Sequence, residues 1–514
     1  MDCMPEIPIL RDLTRCGQSL TKFFFVSPRL LPTIKPGRSR STKTLPELPE
    51  DILISIFANL EIPDLIRASS VCLSWHSAYI VSVYKFGLYK QPSQQTPCLL
   101  YTTESGPDGE SDMFLYSLAE SKSYVLSSLP DPPIRSRHII GSSHGWIITT
   151  DSMSELHLLN PITGDQIALP PITTIEQIDP VYDDNGVLHR YRLAFFTGED
   201  VDEQPRYYTT MSCQEFRDII FLKAILSADP STGNYYVVLI HNPSSQLSFA
   251  RGGDDKWTWL PQHYWFADCI FKDGMLYALT RRGEIHVFDL GGSTITHKKI
   301  MGASIHKFYD NKIYLIQDRC GDVLQIWRGS LAEIEESSES SLEDEEPLHE
   351  YEEPLHEDEE AVHEYEEPLH EDEEPLHEDE ESLHQDGDTI SELDSEPECH
   401  TQYTTRFEVY EVDFATKMLV ERTSLGEDLL FLGHNQSFCL RGEEHPQLKA
   451  NHIYYTQGEH IISFRHTDER DISVLDLQNN ICEKALPEQR CSNWPGPVWM
   501  HLNPRKITSD SHNN

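Results

Sequence analysis

Between residues 331 and 398 there is no lysine and no arginine, and nowhere in the 514-residue chain is there a C-x-x-C pair. Apolar runs are also short. A membrane helix needs roughly 18–20 consecutive apolar residues, and the longest runs here resemble Tyr235-Tyr236-Val237-Val238-Leu239-Ile240. Each absence excludes a class of protein. The eleven cysteines (3, 16, 72, 98, 213, 269, 320, 399, 439, 482 and 491) are odd in number and scattered, which favours a reducing compartment over secretion. The sequon Asn435-Gln436-Ser437 is therefore expected to stay unmodified. No Walker-type glycine loop and no H-E-x-x-H is present, so no cofactor and no metal are expected. Nothing basic interleaves with the tryptophan-rich stretch from Trp257 to Trp265, so nucleic acid is not an expected partner, and the short apolar runs leave no membrane among the expected partners.

The formal charge of -44 is unevenly spread. Residues 331–398 hold 32 of the acidic side chains, while the other 446 residues are at -12, ordinary for a globular protein. Within the acidic stretch, six tandem heptads run from Glu346 to Gly387, with EPLHEDE at 353–359, 367–373 and 374–380. A coiled coil needs two apolar positions per heptad; these have one, and Pro precedes it in four of the six copies. Proline breaks the helix and the carboxylates stay hydrated, so the stretch reads as disordered. It lies between the β-type runs VLQIW and RFEVYEVDF, as a loop insertion that costs little closure entropy. Its six histidines could meet a borderline metal, but an unfolded chain has no preformed geometry, and a solvated acidic tract is the expectation.

Residues 1–44 carry eight Lys+Arg against three acids. They read as a disordered basic leader, with a transit peptide as the alternative. Next comes LPELPEDILISIFANLEIPDLIRASSVCLSWHSAY (45–79). Pro49, Glu50 and Asp51 suit a helix start, and Ile52, Leu53, Ile56, Phe57 and Leu60 recur at helical spacing. Pro63 and Asp64 open a second helix carrying Leu65, Ala68, Cys72 and Trp75. About 40 residues cannot bury two apolar sides alone, so the pair is expected to dock on a partner inside or outside the chain. The stretch resembles the F-box, on Leu48-Pro49-Glu50-Asp51-Ile52, Ile56, Leu60, Leu65, Val71 and Trp75. It departs at Val71-Cys72-Leu73-Ser74-Trp75, where the family has a basic residue before the Trp. The resemblance implies binding to a Skp-type adaptor and, through it, to a cullin, with Leu48, Pro49, Ile52, Ile56, Leu60, Leu65 and Trp75 as contact and packing residues. The alternative is a helical hairpin packed on its own domain.

From about residue 95 the texture becomes short β-type runs such as WIITT, NYYVVLI, MLYALT, EIHVFDL and KIYLIQ, separated by Gly, Asp, Asn and Pro. The segment 203–218 is the best helical or loop exception. GMLYALTRRGEIHVFDL (274–290) aligns with NKIYLIQDRCGDVLQIWR (311–328), with Tyr277 and Tyr314 37 residues apart. Repeating hairpins of this kind point to a β-propeller rather than a sandwich. GSSHGWIITT (141–150), LLNPITGDQIALPP (158–171), SADPSTGNYYVVLIH (227–241), SLGEDLLFLGHNQSF (424–438) and WPGPVWMHLNP (494–504), in this order, resemble plant-type F-box proteins that end in a kelch-like domain of unknown function.

Two motifs remain. Gly141-Ser142-Ser143-His144-Gly145 matches the nucleophile-elbow spacing, which requires strand–turn–helix. A β run follows it here, so Ser143 is expected in a β-turn and no catalytic role is assigned. Trp257, Trp259 and Trp265 could line a recognition surface or pack blades, and packing is the expectation. The fold class is thus mainly β: a leader (1–44), a helical F-box (45–84), a propeller-like domain (95–330 and 399–504) interrupted by a disordered acidic insert (331–398), and a tail (505–514). The function expected is a non-catalytic, target-recruiting subunit of a cullin–RING ubiquitin ligase, in cytoplasm or nucleus. The target is unknown. The alternative is a binding or structural protein outside the ligase, organellar if the leader is cleaved.

Overall fold

The computed structural model describes residues 10–12, 48–91, 94–103, 113–126, 129–195, 207–260, 265–292, 294–303, 312–330, 405–456, 472–486 and 495–507. The basic leader lies outside them except for Leu10–Asp12, a short strand paired antiparallel with Lys122–Leu126. The acidic heptads lie outside them entirely.

Among the described residues, six sheets of four or five strands follow one another along the chain. Blade 1 comprises Cys98–Thr102, Met113–Ser117 and Lys122–Leu126, and the C-terminal strand Val498–Met500 pairs with its first strand. Blade 2 is His138–Ser143, Trp146–Thr150, Leu156–Leu159 and Gln166–Ala168. Blade 3 is Phe221–Leu226, Tyr236–His241, Gln246–Arg251 and Thr258–Leu260. Blade 4 is Phe266–Lys272, Met275–Thr280, Ile285–Asp289 and Thr296–Met301. Blade 5 is Lys312–Gln317, Val323–Ser330, Thr405–Asp413 and Met418–Arg422. Blade 6 has five strands, Asp428–Leu432, Phe438–Arg441, His452–Thr456, Ile472–Asp476 and Ile481–Lys484, with the first and third parallel. Tyr277 lies in the second strand of blade 4 and Tyr314 in the first strand of blade 5, so the two aligned hairpins are not equivalent strand pairs and their spacing is shorter than the step from one blade to the next.

The ring explains why many strands read as continuous apolar runs rather than alternating ones. Each blade is covered on both faces by its neighbours, so inner strands such as Trp146–Thr150 are buried at every residue, whereas the outer strand Ile481–Lys484 is exposed throughout. Apolar clusters fill the seams between successive blades, among them Ile225, Val238 and Phe249 against Phe266 and Phe288 for blades 3 and 4. The ring closes between blades 6 and 1. There Trp499, fully buried on the C-terminal strand, meets Phe431 edge-on at 5.2 Å and Tyr454 at 6.2 Å. Burying one such side chain is worth about 1.5–3 kcal/mol or more.

Strands Val323–Ser330 and Thr405–Asp413 are neighbours in blade 5, so the acidic segment joins two adjacent strands of one sheet. The stretch near 203–218 divides into a strand, Tyr207–Ser212, and a helix, Cys213–Ile220. The helix is held by a capping box between Ser212 and Glu215. That strand joins Ile178–Tyr182 and Leu188–Phe195 in a separate three-stranded sheet between blades 2 and 3 in sequence.

Ser143 is a correction. It ends a strand rather than sitting in the turn, which is made by His144 (φ 51°) and Gly145 (φ 84°). Two positive φ values suit a tight hairpin, and a Cβ on Gly145 would lie 2.3 Å from Asn503 Cβ. Ser143 is buried, and its hydroxyl donates to the Gln436 side chain in blade 6. The tryptophans divide: Trp257 and Trp259 are buried, and Trp257 Nε1 donates to Pro170 O at 2.9 Å, whereas Trp265 is 55% exposed. Asn435 of the sequon is fully buried.

Candidate functional site

Residues 50–80 form three helices rather than the two expected. They are α1 (Glu50–Phe57), α2 (Ile62–Ser69) and α3 (Leu73–Ile80). The run from Pro63 to Trp75 breaks because the backbone is extended at Cys72, with φ -162° and ψ 173°.

α1 has apolar residues on two sides. Leu53 and Phe57, four apart, are 1% and 0% exposed. They pack with Ile62, Leu65 and Ile66 of α2 and with Cys98, Leu100, Met113, Leu115, Val498 and Met500 of blade 1. Leu48, Ile52 and Ile56 share the same four-residue step, one position out of phase, and are 45%, 45% and 40% exposed. Spacing of four places Ile52 and Ile56 in a row along α1, and Leu48 lies just ahead of the helix start. The inner row is a core; the outer row is an apolar surface with nothing over it among the described residues.

The structure divides the seven residues of the motif. Leu48, Pro49, Ile52 and Ile56 are exposed, while Leu60 and Trp75 are partly buried against the helical core. The Trp75 ring stands edge-on to Phe57 at 5.7 Å. Leu65 is fully buried and holds α2 on the core, so it has no surface to offer a partner. Val71 and Leu73 are far more exposed, at 63% and 82%. Leu73 was not singled out because a continuous helix from Pro63 puts it off the apolar stripe; the extended Cys72 that starts α3 leaves no pattern to read.

Polar contacts fix these helices to blade 1. Glu61, at the turn between α1 and α2, pairs with Lys90 at 2.5 Å and accepts from Thr96 N at 3.2 Å. Arg67 on α2 pairs with Glu120 at 3.0 Å, bonds to Asp64 and to the Tyr124 hydroxyl, and lies over the Tyr124 ring. Burial disfavours the Arg67 charge, yet the Glu120 and Asp64 carboxylates hold its pKa above the ordinary value. Tyr124 donates to Glu120 at 2.6 Å, and burial with that carboxylate raises its own pKa. Among the described residues no group of three or more His, Cys, Asp or Glu is placed to hold a metal ion.

Three helices with an open apolar side are thus seated on a ring of six blades, the architecture of an F-box followed by a β-propeller. Residues 45–84 match the F-box-like family model, and residues 115–476 match the model of the KIB1-4 beta-propeller. The chain belongs to the KIB1-4 beta-propeller family. Its relatives include three Arabidopsis thaliana proteins. It is 28% identical to F-box protein KIB4 over 34% of this chain and 42% of that one. It is 26% identical to F-box only protein 7 over 47% and 57%, and 26% identical to F-box protein KIB2 over 48% and 50%. The chain spans about half the length of these curated relatives. Among solved structures, an oligogalacturonate lyase in complex with manganese aligns over 77% of this chain and 76% of that one. With 7% identity and a TM-score of 0.27, that likeness is too slight to carry an argument.

Proposed function

We propose that the chain is the target-recruiting F-box subunit of a cullin–RING ubiquitin ligase. It binds a Skp-type adaptor through the open row of α1 and a protein target through the propeller. It performs no transfer itself and supplies proximity to one made by its partners. The observation that carries this reading is the two-sided α1, whose outer Ile52 and Ile56, with Leu48 just ahead of the helix, remain exposed although Leu53 and Phe57 are sealed. An apolar row of this kind on a folded module marks an interface. Action in cytoplasm or nucleus is proposed with it.

Co-expression with a Skp-type adaptor, followed by co-purification, tests the reading. The wild type should bind. Replacing Ile52 and Ile56 by Asp places charges in an apolar interface and should weaken binding at least a hundredfold, since hot-spot losses reach about 2 kcal/mol or more each. Circular dichroism should be unchanged, because both positions are outside the core. A wild type that never binds the adaptor, or a double variant that binds it normally, would sink the proposal.

A further inference from the structure

The blade ends that point away from the helical module carry an exposed tryptophan stacked under an arginine. The helical module sits at one end of the blades: Gln95, in the segment leading to blade 1, donates to Leu502 O at 3.2 Å, and Asn503 donates to His144 O at 3.2 Å in the first turn of blade 2. The matching first turn of blade 4 is Asp273–Gly274, since in a ring built by rotation the same turn of each blade falls on the same face. Strand Met275–Thr280 runs away from that turn, so Arg281 and Arg282 lie on the opposite face. Trp265, just before blade 4, joins them: Arg281 N donates to Trp265 O at 2.8 Å, and the Arg281 guanidinium stands 5.6 Å from the Trp265 ring centre. Both arginines are exposed.

A second observation points to the sign of the ligand. In blade 5, Arg328 is paired with Lys312, at the end of its strand remote from the turn 318–322. Arg319 in that turn pairs with Glu444 at 2.6 Å, beside the loop in which Gln447 bonds to Thr96, so the turn is on the F-box face and Arg328 lies toward the other. Arg328 is 8% exposed, with its guanidinium 4.8 Å from the Tyr455 ring centre and 5.9 Å from that of Phe407. Its Nη1 has no hydrogen-bond acceptor. A buried guanidinium with an unmet donor favours negative over positive charge toward this face.

We propose that the propeller face opposite the F-box, around Trp265, Arg281 and Arg282, docks an acidic peptide segment of the target. The inference rests on the target-recruiting reading and names the chemistry of the target. Tryptophan and arginine dominate interface hot spots. Exposed arginines beside an exposed tryptophan steer acidic segments to one place.

The test uses the full chain co-purified with its adaptor, so adaptor binding is read in the same sample. The probe is a fluorescein-labelled peptide, EPLHEDEEPLHEDE, with an all-amide control in which Gln and Asn replace Glu and Asp. Saturable, salt-sensitive binding of the acidic probe is expected. It should weaken at least tenfold in Arg281→Glu/Arg282→Glu and in Trp265→Ala, and less in Arg328→Met. Adaptor binding should stay unchanged in all of them. If the double charge reversal disturbs folding, Arg282→Gln should still weaken the probe about threefold. Equal binding of the amide control, or no loss in these variants, overturns the proposal. So does a probe that binds only after residues 331–398 are deleted, because the chain's own acidic segment then occupies the face. An Arg282-dependent dimer overturns it in favour of a second copy. Loss of adaptor binding in the wild type would strike the ligase reading instead.

Discussion

The blades and the F-box helices are built from the same residue types, yet they finish differently. In the ring the apolar faces that meet between successive blades are covered, and the seam between blades 6 and 1 is filled by Trp499, which pairs with blade 1 from a distant part of the sequence. In α1 the covering stops halfway. Phe57 is sealed and Ile56, the adjacent residue, is not. A closed ring can gain little from a partner at its seams; an open row gains whatever apolar area a partner removes from water. The sealed side and the open side are thus separated by one step along an eight-residue helix.

The strongest way to break this contrast is at the ring closure. Trp499→Ala should cost about 3–5 kcal/mol, as large-to-small changes in a core do. It should lower the urea midpoint without preventing adaptor binding in whatever fraction stays folded. Phe57→Ala should cost a similar amount, while Ile56→Ala should stay within about 0.5 kcal/mol. Equal costs for Phe57 and Ile56 would erase the two-sided picture.

Acid should act on the ring next. His241 is fully buried between Asn242 O and Ser248 Oγ, each at 2.8 Å, and burial pushes its pKa down to about 4. The unfolded imidazole takes its proton near 6.5, so the unfolded state binds more protons between these values. Stability should therefore be lost as pH falls from about 6.5 to about 4, by up to roughly 3 kcal/mol. His241→Gln should flatten that part of the profile, measured as urea midpoint against pH.

A smaller effect is expected where the two regions join. Glu61→Ala removes the Lys90 pair and the Thr96 bond, and charge-assisted bonds of this kind are worth about 1.5–3 kcal/mol. The visible result should be earlier protease cleavage in residues 85–97 while the propeller stays resistant. The smallest effect is expected from deleting residues 346–387. Because strands Val323–Ser330 and Thr405–Asp413 already lie side by side, shortening their connection should shift the thermal midpoint by only a few degrees. A large loss would show that the acidic segment supports the ring.

Much of this was readable beforehand, and the exceptions have physical causes. The F-box and the propeller were legible because both advertise themselves locally: proline with acidic residues ahead of a stripe, and short apolar runs divided by turn residues. The number of blades was not, because a blade is defined by which strands pair, and Val498–Met500 pairs with Cys98–Leu100 across almost the whole chain. Ser143 was misplaced by one residue. The tight turn at His144-Gly145 draws its need for glycine from Asn503, which no local pattern reveals. Of the motif residues, Ile52 and Ile56 could be assigned to a row by spacing alone. Leu65 could not be told from them, because burial depends on blade 1.

The strand that closes the ring also reaches the floor beneath the F-box, since Val498, Met500 and Leu502 pack in the same cluster as Leu53 and Phe57. A ribosome releases the F-box helices long before this strand. During synthesis the helices therefore wait, with their inner row uncovered, for most of the chain to emerge. A nascent chain that stalls before residue 498 has neither a finished ring nor a finished seat for its helices. The order of synthesis thus makes emergence of residues 498–502 a condition for a properly held F-box.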